Sequence, residues 1–377
     1  IKDDKIEWMG QAADFAKSHP DLTPTETIDL ANKVVTPGLV DPHTHPVFAA
    51  TREDEFYLRN AGKSYMAIAA AGGGIRNSVR KLRAASEEQL FANGMKYLDR
   101  MLANGTTTAE AKSGYGLSTE SEIKSLEVIK RLDAAHPIEL APTFLGAHEF
   151  PDEYREDREA YIKLLIEEMI PEVAKRGLAE FCDIFTEEGV FDIDQSRRVM
   201  TAAKEHGFKL KFHADELQSV GGAELAAELG AVSADHLVHI SEQGIKLMAK
   251  HGTIAVLLPS TTFFLGHTEY APALRMIEQG VPLALATDFN PGSSFNASLP
   301  ATMTIAAIYL KLTPEQIFNA VTWNSSCALC RQEQIGSLTP GKQADLVVWD
   351  AVNFKQIPYS FGQNLALRVY KRGKQVV

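Results

Sequence analysis

Two histidines separated by one residue carry the strongest chemical signal in this 377-residue sequence. His43 and His45 lie in TPGLVDPHTH, where they follow an apolar run and the pair Asp41 and Pro42. In an extended strand residues i and i+2 point to the same side, so the two imidazoles converge on one point. Convergent imidazoles can bind a metal, although two satisfied polar side chains at a strand end would have the same spacing.

Three further candidate ligands, His213, His236 and Asp288, each follow a short apolar run, in LKFHADE, SADHLVH and LALATDF. Imidazole and carboxylate ligands suit zinc or iron, and the lack of thiolates among them argues against a closed structural zinc site. We therefore predict an open, catalytic site for one divalent metal, Zn²⁺ or Fe²⁺/Fe³⁺, with a position left for water. The expected ligands are His43, His45, His213 and Asp288.

Catalytic roles are expected for Glu216 and His236. Glu216 follows His213 by three residues, close enough to move a proton, although a solvent-facing position at a helix start is the alternative. His236 could orient the attacking water or polarise the scissile carbonyl. Lys112 is interpreted as a member of an ion pair, which either stabilises the fold or lies next to the substrate.

The elements that must position these residues alternate between strand-like and helix-like segments from about residue 34 to 290. Eight such repeats predict an α/β fold, a (β/α)8 TIM-like barrel, in which chemistry occurs at the C-terminal ends of the strands. The predicted strands are residues 38–45, 106–112, 138–148, 179–186, 209–216, 232–238, 253–260 and 282–289. The candidate ligands fall at the C-terminal ends of four of them.

The two ends of the chain do not continue this alternation. Residues 1–37 and 336–377 contain strand-like and turn-like segments, which predict a small composite β-sandwich domain built from both termini. The barrel domain is then expected to span residues 38–335. Because the chain opens in a strand-like segment, we expect a short N-terminal piece with a partner strand to precede residue 1.

Composition limits the classes of partner. Lys and Arg total 38 and Asp and Glu total 49, so the net charge is −11, which argues against nucleic-acid and anionic-membrane binding. Three cysteines are too few for a disulfide scaffold, and together with the lack of a long apolar run or signal segment they predict a cytoplasmic protein. An anionic substrate would need a local cation.

Beyond these residues, PGLVDPHTH, the His213, His236 and Asp288 positions and the closing GSLTPGKQADLVVWD resemble the amidohydrolase superfamily. Its binuclear members carry a carboxylated lysine after strand 4, and AEFCDIFTEEGVF has none, which favours one metal. The narrower resemblance is to members that hydrolyse 4-imidazolone-5-propanoate to N-formimidoyl-L-glutamate in histidine degradation. It covers nearly the whole chain and is carried by HPVFAATREDEFYLR (45–59), GGGI (72–75), EAKSGYGLS (110–118), APTFLGAHEFP (141–151), KFHADEL (211–217) and ATDFNPGS (286–293).

This resemblance implies a small anionic substrate, the same metal, the catalytic pair Glu216 and His236, and compatibility with a homodimer. It also implies a catalytic role for Asp288, which would move a proton in addition to binding the metal. Arg52 offers a planar fork suited to a carboxylate, although a surface ion pair with Glu53 or Glu55 is the alternative. His267 is an open minor candidate, and the glycines at 72–74 are expected in a mobile loop over the barrel mouth. The implied substrate-binding residues are Arg52, Tyr115 and His148, with Asn290, Gly292 and Ser293 at the formimidoyl-glutamate end.

Two other functions fit the same residues. An aminohydrolase acting on a purine, pyrimidine or triazine ring would use the same ligands but release ammonia without opening the ring. A non-catalytic barrel that serves as a binding module would be expected to have lost metal ligands, and this chain keeps the full set.

Overall fold

The computed structural model of the chain describes residues 1–20, 24–63 and 73–377, so the predicted loop at 72–74 lies partly outside the described residues. The described strands form two separate sheets. They are β1 (Val34–Pro37), β2 (Leu39–Asp41), β3 (Thr106–Lys112), β4 (Glu139–Ala147), β5 (Phe181–Thr186), β6 (Lys209–Ala214), β7 (Ser233–His236), β8 (Ile254–Leu257), β9 (Leu283–Leu285), β10 (Leu346–Trp349), β11 (Ala366–Lys371) and β12 (Lys374–Gln375).

Helices follow most of the strands, and none in the described part of the chain is long and apolar enough to cross a membrane. Two π-helical segments, Leu165–Met169 and Ala306–Leu310, and a 3₁₀ turn, Asp152–Tyr154, complete the regular structure. The α-helices are α1 (Ala12–Ser18), α2 (Glu53–Asn60), α3 (Ile75–Ala84), α4 (Glu87–Ala103), α5 (Thr119–Ala135), α6 (Arg158–Leu164), α7 (Ile170–Arg176), α8 (Ile193–Glu205), α9 (Gly222–Leu229), α10 (Glu242–His251), α11 (Pro259–Leu265), α12 (Ala273–Glu278), α13 (Leu299–Ile305), α14 (Pro314–Ala320), α15 (Trp323–Ala328) and α16 (Gln356–Tyr359).

The larger sheet confirms the predicted parallel barrel. Its eight strands run in the order β2-β3-β4-β5-β6-β7-β8-β9, each parallel to the next. The residues of β3 are buried throughout, as expected for a strand covered by side chains inside the barrel and by helices outside. The predicted bounds of β3 and α5 match those observed, whereas the strand predicted at 38–45 ends at Asp41 because Pro42 has no amide hydrogen to continue the ladder.

The barrel closes between its first and last strands by contacts at the mouth. The Asp41 carboxylate accepts hydrogen bonds from the Thr287 amide (3.1 Å) and the Thr287 hydroxyl (2.6 Å). Just beyond the ends of these strands, the Asp288 amide donates to the His43 carbonyl at 3.1 Å, and the His45 amide donates to the Phe289 carbonyl at 2.8 Å. Closure therefore occurs at the residues predicted to bind a metal.

The smaller sheet is antiparallel, in the order β1-β10-β11-β12, so both ends of the chain contribute to it as predicted. Within the described residues it is one four-stranded layer. Near the N-terminus, Lys5 forms a bridge with Gln343. We keep the limits 1–37 with 336–377, and 38–335, as a proposal for the two domains.

Trp349 connects the small sheet to the barrel. Its side chain is fully buried, and its indole nitrogen donates a hydrogen bond to the Thr36 hydroxyl at 2.8 Å. A Cβ atom on Gly105, which precedes β3 and has a φ of +93°, would lie 3.2 Å from the indole ring. The indole thus packs against the entrance to a barrel strand.

We predict that Trp349→Ala lowers the free energy of unfolding by about 3–5 kcal/mol, because it leaves a large cavity and removes the hydrogen bond from the indole to the Thr36 hydroxyl. Guanidinium unfolding followed by circular dichroism measures the change. The control is Tyr359→Ala, whose side chain is 85% exposed, with an expected change within about 0.5 kcal/mol. Equal stability of the two variants would contradict a role for Trp349 in joining sheet and barrel.

Candidate active site

The mouth of the barrel brings the four predicted metal ligands together. His43 Nε2 and His45 Nε2 each lie 3.6 Å from Asp288 Oδ1. The ring centroids of His43 and His213 are 4.5 Å apart. Ligands about 2.1 Å from a tetrahedral zinc are separated by about 3.4 Å, so the observed spacing suits a shared cation.

His43 belongs to three overlapping groups of potential ligands among the described residues. Its partners are His45 and Asp288 in the first group, His213 and His236 in the second, and the buried acids Glu110 and Asp235 in the third. In each group the ligand atoms lie within 4.8 Å of one another. His236 is therefore as close to His43 and His213 as a ligand would be. Its backbone and that of Asp288 adopt left-handed conformations, with φ of 75° and 51°, which cost energy and are common at functional sites.

Buried polar side chains hold the candidate ligands from behind. His43 Nδ1 lies 2.6 Å from Asp235 Oδ2, and His213 Nδ1 lies 3.0 Å from Asp183 Oδ2. Thr261 donates its hydroxyl to Asp288 Oδ2 at 2.6 Å. Sequence reasoning missed all three partners. The two aspartates could have been suspected from acidic residues inside otherwise apolar strands, whereas Thr261 carried no signal.

Burial makes the histidines suitable as ligands. It lowers the pKa of His43, His45 and His236 well below the ordinary value, so these imidazoles are neutral and keep a lone pair. Within the described residues, His43 Nε2 and His45 Nδ1 are buried without a hydrogen-bond partner. Neutral imidazoles with unsatisfied nitrogens beside a carboxylate fit a divalent cation.

Two carboxyls at the mouth and one imidazole have pKa values raised above the ordinary range. Burial raises the pKa of Asp288 to about 6, and burial together with the Asp288 charge raises that of Glu216 to about 8. Burial alone would lower the pKa of His213, but the Asp183 carboxylate outweighs it and raises the value.

Glu216 faces the cavity rather than solvent, which resolves the alternative left by the sequence. Its Oε1 lies 3.5 Å from Nδ1 of His236, and its side chain is 16% exposed. The predicted catalytic pair is thus in contact at the barrel mouth.

A cavity of about 440 Å³ opens in front of these residues, a size typical of small-molecule sites. His267 lines it at the rim, so this minor candidate belongs to the same space. Every residue predicted to bind substrate also lines it: Arg52, Tyr115, His148, Asn290, Gly292 and Ser293.

Arg52 lines the cavity and also forms an ion pair. Its Nε and Nη2 donate to Glu55 Oε2 at 2.9 and 2.6 Å, and Glu55 is buried. A Cβ atom at Gly292 would lie 2.2 Å from Arg52 Nη1, so only glycine leaves room for the guanidinium there. Glu55 fixes one edge of the guanidinium, while the other edge reaches toward the turn at 292. From the sequence, an ion pair with Glu55 was only the alternative to substrate binding by Arg52, whereas the structure has the ion pair and a place in the cavity wall together.

Tyr115 and His148 are aromatic residues of the cavity wall, and both lie next to His45. The His148 ring stacks on His45 with centroids 5.4 Å apart, and its Nδ1 lies 2.9 Å from the Gly114 carbonyl. Tyr115 has its ring 5.8 Å from that of His45. Burial and the Asp288 charge raise the pKa of Tyr115, so its hydroxyl remains a hydrogen-bond donor.

Asn290 organises the turn that follows Asp288. Its side-chain nitrogen donates to the Asp288 carbonyl at 2.7 Å, and its oxygen accepts from the Gly292 and Ser293 amides, both at 2.8 Å. The three residues predicted for the formimidoyl-glutamate end therefore form one turn joined to a candidate ligand.

Arg59 is a cavity-lining cation that the sequence reasoning missed. Its Nη2 is buried and has no hydrogen-bond partner among the described residues. The guanidinium lies 5.8 Å from the ring centroid of Phe56 and 5.7 Å from that of Phe264. Its position within a helix rich in charges gave no sign that it reaches the site.

Solved structures resemble the fold over its whole length. One is a 5-methylcytosine deaminase from Klebsiella pneumoniae liganded with 5-fluorocytosine, with a TM-score of 0.78, 18% identity, and coverage of 100% of this chain and 93% of that chain. Another is an adenosine deaminase from Xanthomonas campestris with bound zinc, with a TM-score of 0.73, 20% identity, and coverage of 100% and 87%. At these identities the likeness concerns the fold alone.

Sequence similarity is much higher to proteins named imidazolonepropionase. The one from Geobacillus thermodenitrificans is 53% identical over 93% of this chain and 83% of its own length. The one from Bacillus velezensis is 50% identical over 100% and 88%. Residues 34–376 match the Amidohydrolase family. The chain belongs to the amidohydrolase family, and within that family it is similar over nearly its whole length to imidazolonepropionases.

Proposed function

We propose that the chain hydrolyses the cyclic amide C–N bond of 4-imidazolone-5-propanoate to give N-formimidoyl-L-glutamate, a step of histidine degradation. The observation that carries this proposal is a single cavity with a buried His/Asp cluster at its base and Arg52 in its wall. Such a cavity suits a small ring with a reactive carbonyl and an anionic tail. The name shared by the relatives at about 50% identity supports the same substrate.

His43, His45, His213 and Asp288 are the residues that would hold the metal, Zn²⁺ or Fe²⁺/Fe³⁺. Such a metal supplies Lewis-acid polarisation and a water of lowered pKa when bound. Zinc is present in the adenosine deaminase of similar fold, which supports zinc as the first metal to test.

The chain's own residues then move protons and orient the substrate. Glu216 faces the cavity beside His236, where it can accept a proton from the attacking water and return it to the ring nitrogen as the C–N bond breaks. His236 can donate to or orient the carbonyl oxygen, on which negative charge develops. Asp288 is placed to share in the proton transfer.

Substrate orientation is assigned to the remaining cavity residues. Arg52 would bind the propanoate through the edge of the guanidinium that Glu55 leaves available. Tyr115 and His148 would pack against the ring. The turn formed by Asn290, Gly292 and Ser293 would hold the formimidoyl-glutamate end.

A cytoplasmic location and a homodimer complete the proposal. All three cysteines are free thiols, which agrees with a reducing compartment. The dimer is proposed from the family resemblance and is tested by analytical ultracentrifugation of the purified chain.

We predict that the purified protein with zinc converts 4-imidazolone-5-propanoate to N-formimidoyl-L-glutamate, detected by loss of the ring chromophore and by mass spectrometry. Ammonia is assayed in the same samples, because ring opening conserves both nitrogens in the product. Ammonia release from a purine, pyrimidine or triazine without turnover of the imidazolone would replace this proposal with an aminohydrolase activity.

Replacing Asp288 with Ala is expected to lower kcat by about 10³-fold or more, because it removes both a ligand and a proton-transfer group. The matched control is Asp152→Ala, which removes an acid that pairs with Arg76 at 3.0 Å outside the cavity, and it should keep wild-type activity. Wild-type turnover by Asp288→Ala with metal bound would refute the assigned role.

Arg52→Ala is expected to raise KM by about 10- to 100-fold with a smaller effect on kcat, because it removes a charge-assisted hydrogen bond shared by ground and transition states. Steady-state kinetics of Arg76→Ala, which lies outside the cavity, provide the control. An unchanged KM in Arg52→Ala would mean that the propanoate binds elsewhere, with Arg59 the next cation to replace.

A further inference from the structure

Directly behind the candidate ligands lies a layer of charged side chains with no exposure to solvent. It contains two lysines and three acids, all fully buried, and the cavity wall does not include them. A buried ion pair is often no more stabilising than well-packed apolar residues of the same size, so pairing alone does not explain why charges occupy this layer. Its members are Lys112, Lys211, Glu110, Asp183 and Asp235.

Lys112 is the centre of this layer. Its Nζ donates to Asp183 Oδ2 at 2.6 Å and to Glu110 Oε1 at 2.9 Å, and it lies 3.9 Å from Asp235 Oδ2. Attraction to the three carboxylates, Asp183 foremost, outweighs burial and raises the pKa of Lys112 above the ordinary value, so the amine keeps its charge.

The same two aspartate oxygens face the candidate metal ligands. Asp183 Oδ2 lies 3.0 Å from Nδ1 of His213, and Asp235 Oδ2 lies 2.6 Å from Nδ1 of His43. The Lys112 ammonium therefore donates to the Asp183 oxygen and lies near the Asp235 oxygen. These two oxygens belong to different strands, β5 and β7, and each faces one of the imidazoles. Carboxylates behind ligating histidines set the direction of the ring and its affinity for metal.

We propose that Lys112 is a positioning residue for the metal centre: it holds Asp183 and Asp235 in the orientation that aims His213 and His43 at the metal. This inference rests on the metal site of the proposed function. An ammonium has three N–H donors and a positive charge, so it can donate to several carboxylates and also balance their charge. An amide or a hydroxyl has fewer donors and no charge. Oδ1 of Asp235 accepts from the Ser233 hydroxyl at 2.6 Å, and Oδ1 of Asp183 accepts from the Ile184 amide at 2.7 Å. Without Lys112 each carboxylate would keep that contact, but the Oδ2 atom that faces the imidazole would lose the neighbouring ammonium.

Lys211 provides a matched control from the same layer. It is equally buried, but its Nζ lies 3.2 Å from Glu110 Oε2 and donates to the Pro42 carbonyl at 3.0 Å. Within the described residues it forms no ion pair with Asp183 or Asp235. Removing it takes a cationic charge away from Glu110 and Asp235, so it reproduces the general electrostatic cost without breaking a direct contact with either aspartate.

The test measures zinc affinity of the metal-free, folded full chain by competition with a chromophoric chelator. Lys112→Met is expected to weaken zinc binding by about 10- to 100-fold, whereas Lys211→Met should stay within a few-fold of wild type. With zinc saturating, KM for the imidazolone should be unchanged in both, because neither lysine lines the cavity. Thermal unfolding of the metal-free proteins separates loss of affinity from loss of fold.

Wild-type zinc affinity in Lys112→Met, or an equal loss in Lys211→Met, would overturn the positioning role while leaving the proposed function intact. Failure of the wild-type chain to bind zinc or iron would instead overturn the metal site itself. If Lys112→Met does not fold, Lys112→Gln keeps donors for one carboxylate and takes its place. Loss of folding in both, with Lys211→Met folded, would assign Lys112 to barrel stability and overturn the proposal.

Discussion

The site depends on how the barrel closes. Within the described residues the first and last strands form no ladder, and the chain instead joins them through the Asp41 carboxylate and the backbone of His43, His45 and Asp288. The same peptide groups that complete the barrel therefore fix the positions of three candidate ligands. A shift of any of these three residues would therefore also disturb the backbone hydrogen bonds that join the first and last strands.

Electrostatics follow from this placement. Histidines at the seam are buried, so they are neutral and offer lone pairs, while the acids behind them need cations inside the protein. The protein provides these as Lys112 and Lys211. The net charge of −11 belongs to the whole chain, whereas the cavity is lined by the cations Arg52 and Arg59 together with the acids Glu55, Glu149, Glu216 and Asp288.

Much of the fold was predictable because the repeating strand and helix patterns are local. The bounds of β3, α5, α9 and α10 follow from periodicity and from the glycines that end the helices. The ligands were predictable for a related reason, since histidine and aspartate at strand ends stand out in an apolar sequence. Partners such as Asp183, Thr261 and Glu55 could not be predicted, because their roles depend on which segments become neighbours in the folded barrel. The spacing of residues along the sequence does not show which segments these are.

The small sheet has a consequence for the order of events during synthesis. Thr36 on β1 finds its hydrogen-bond partner on Trp349, 313 residues later. At translation rates of about 5 to 20 residues per second, that interval lasts about 15 to 60 seconds. During this time β1 lacks β10, the strand with which it pairs, and the entrance to β3 lacks its indole cover. A nascent chain that stalls before β10 therefore leaves both β1 and this part of the barrel without the surface against which they pack.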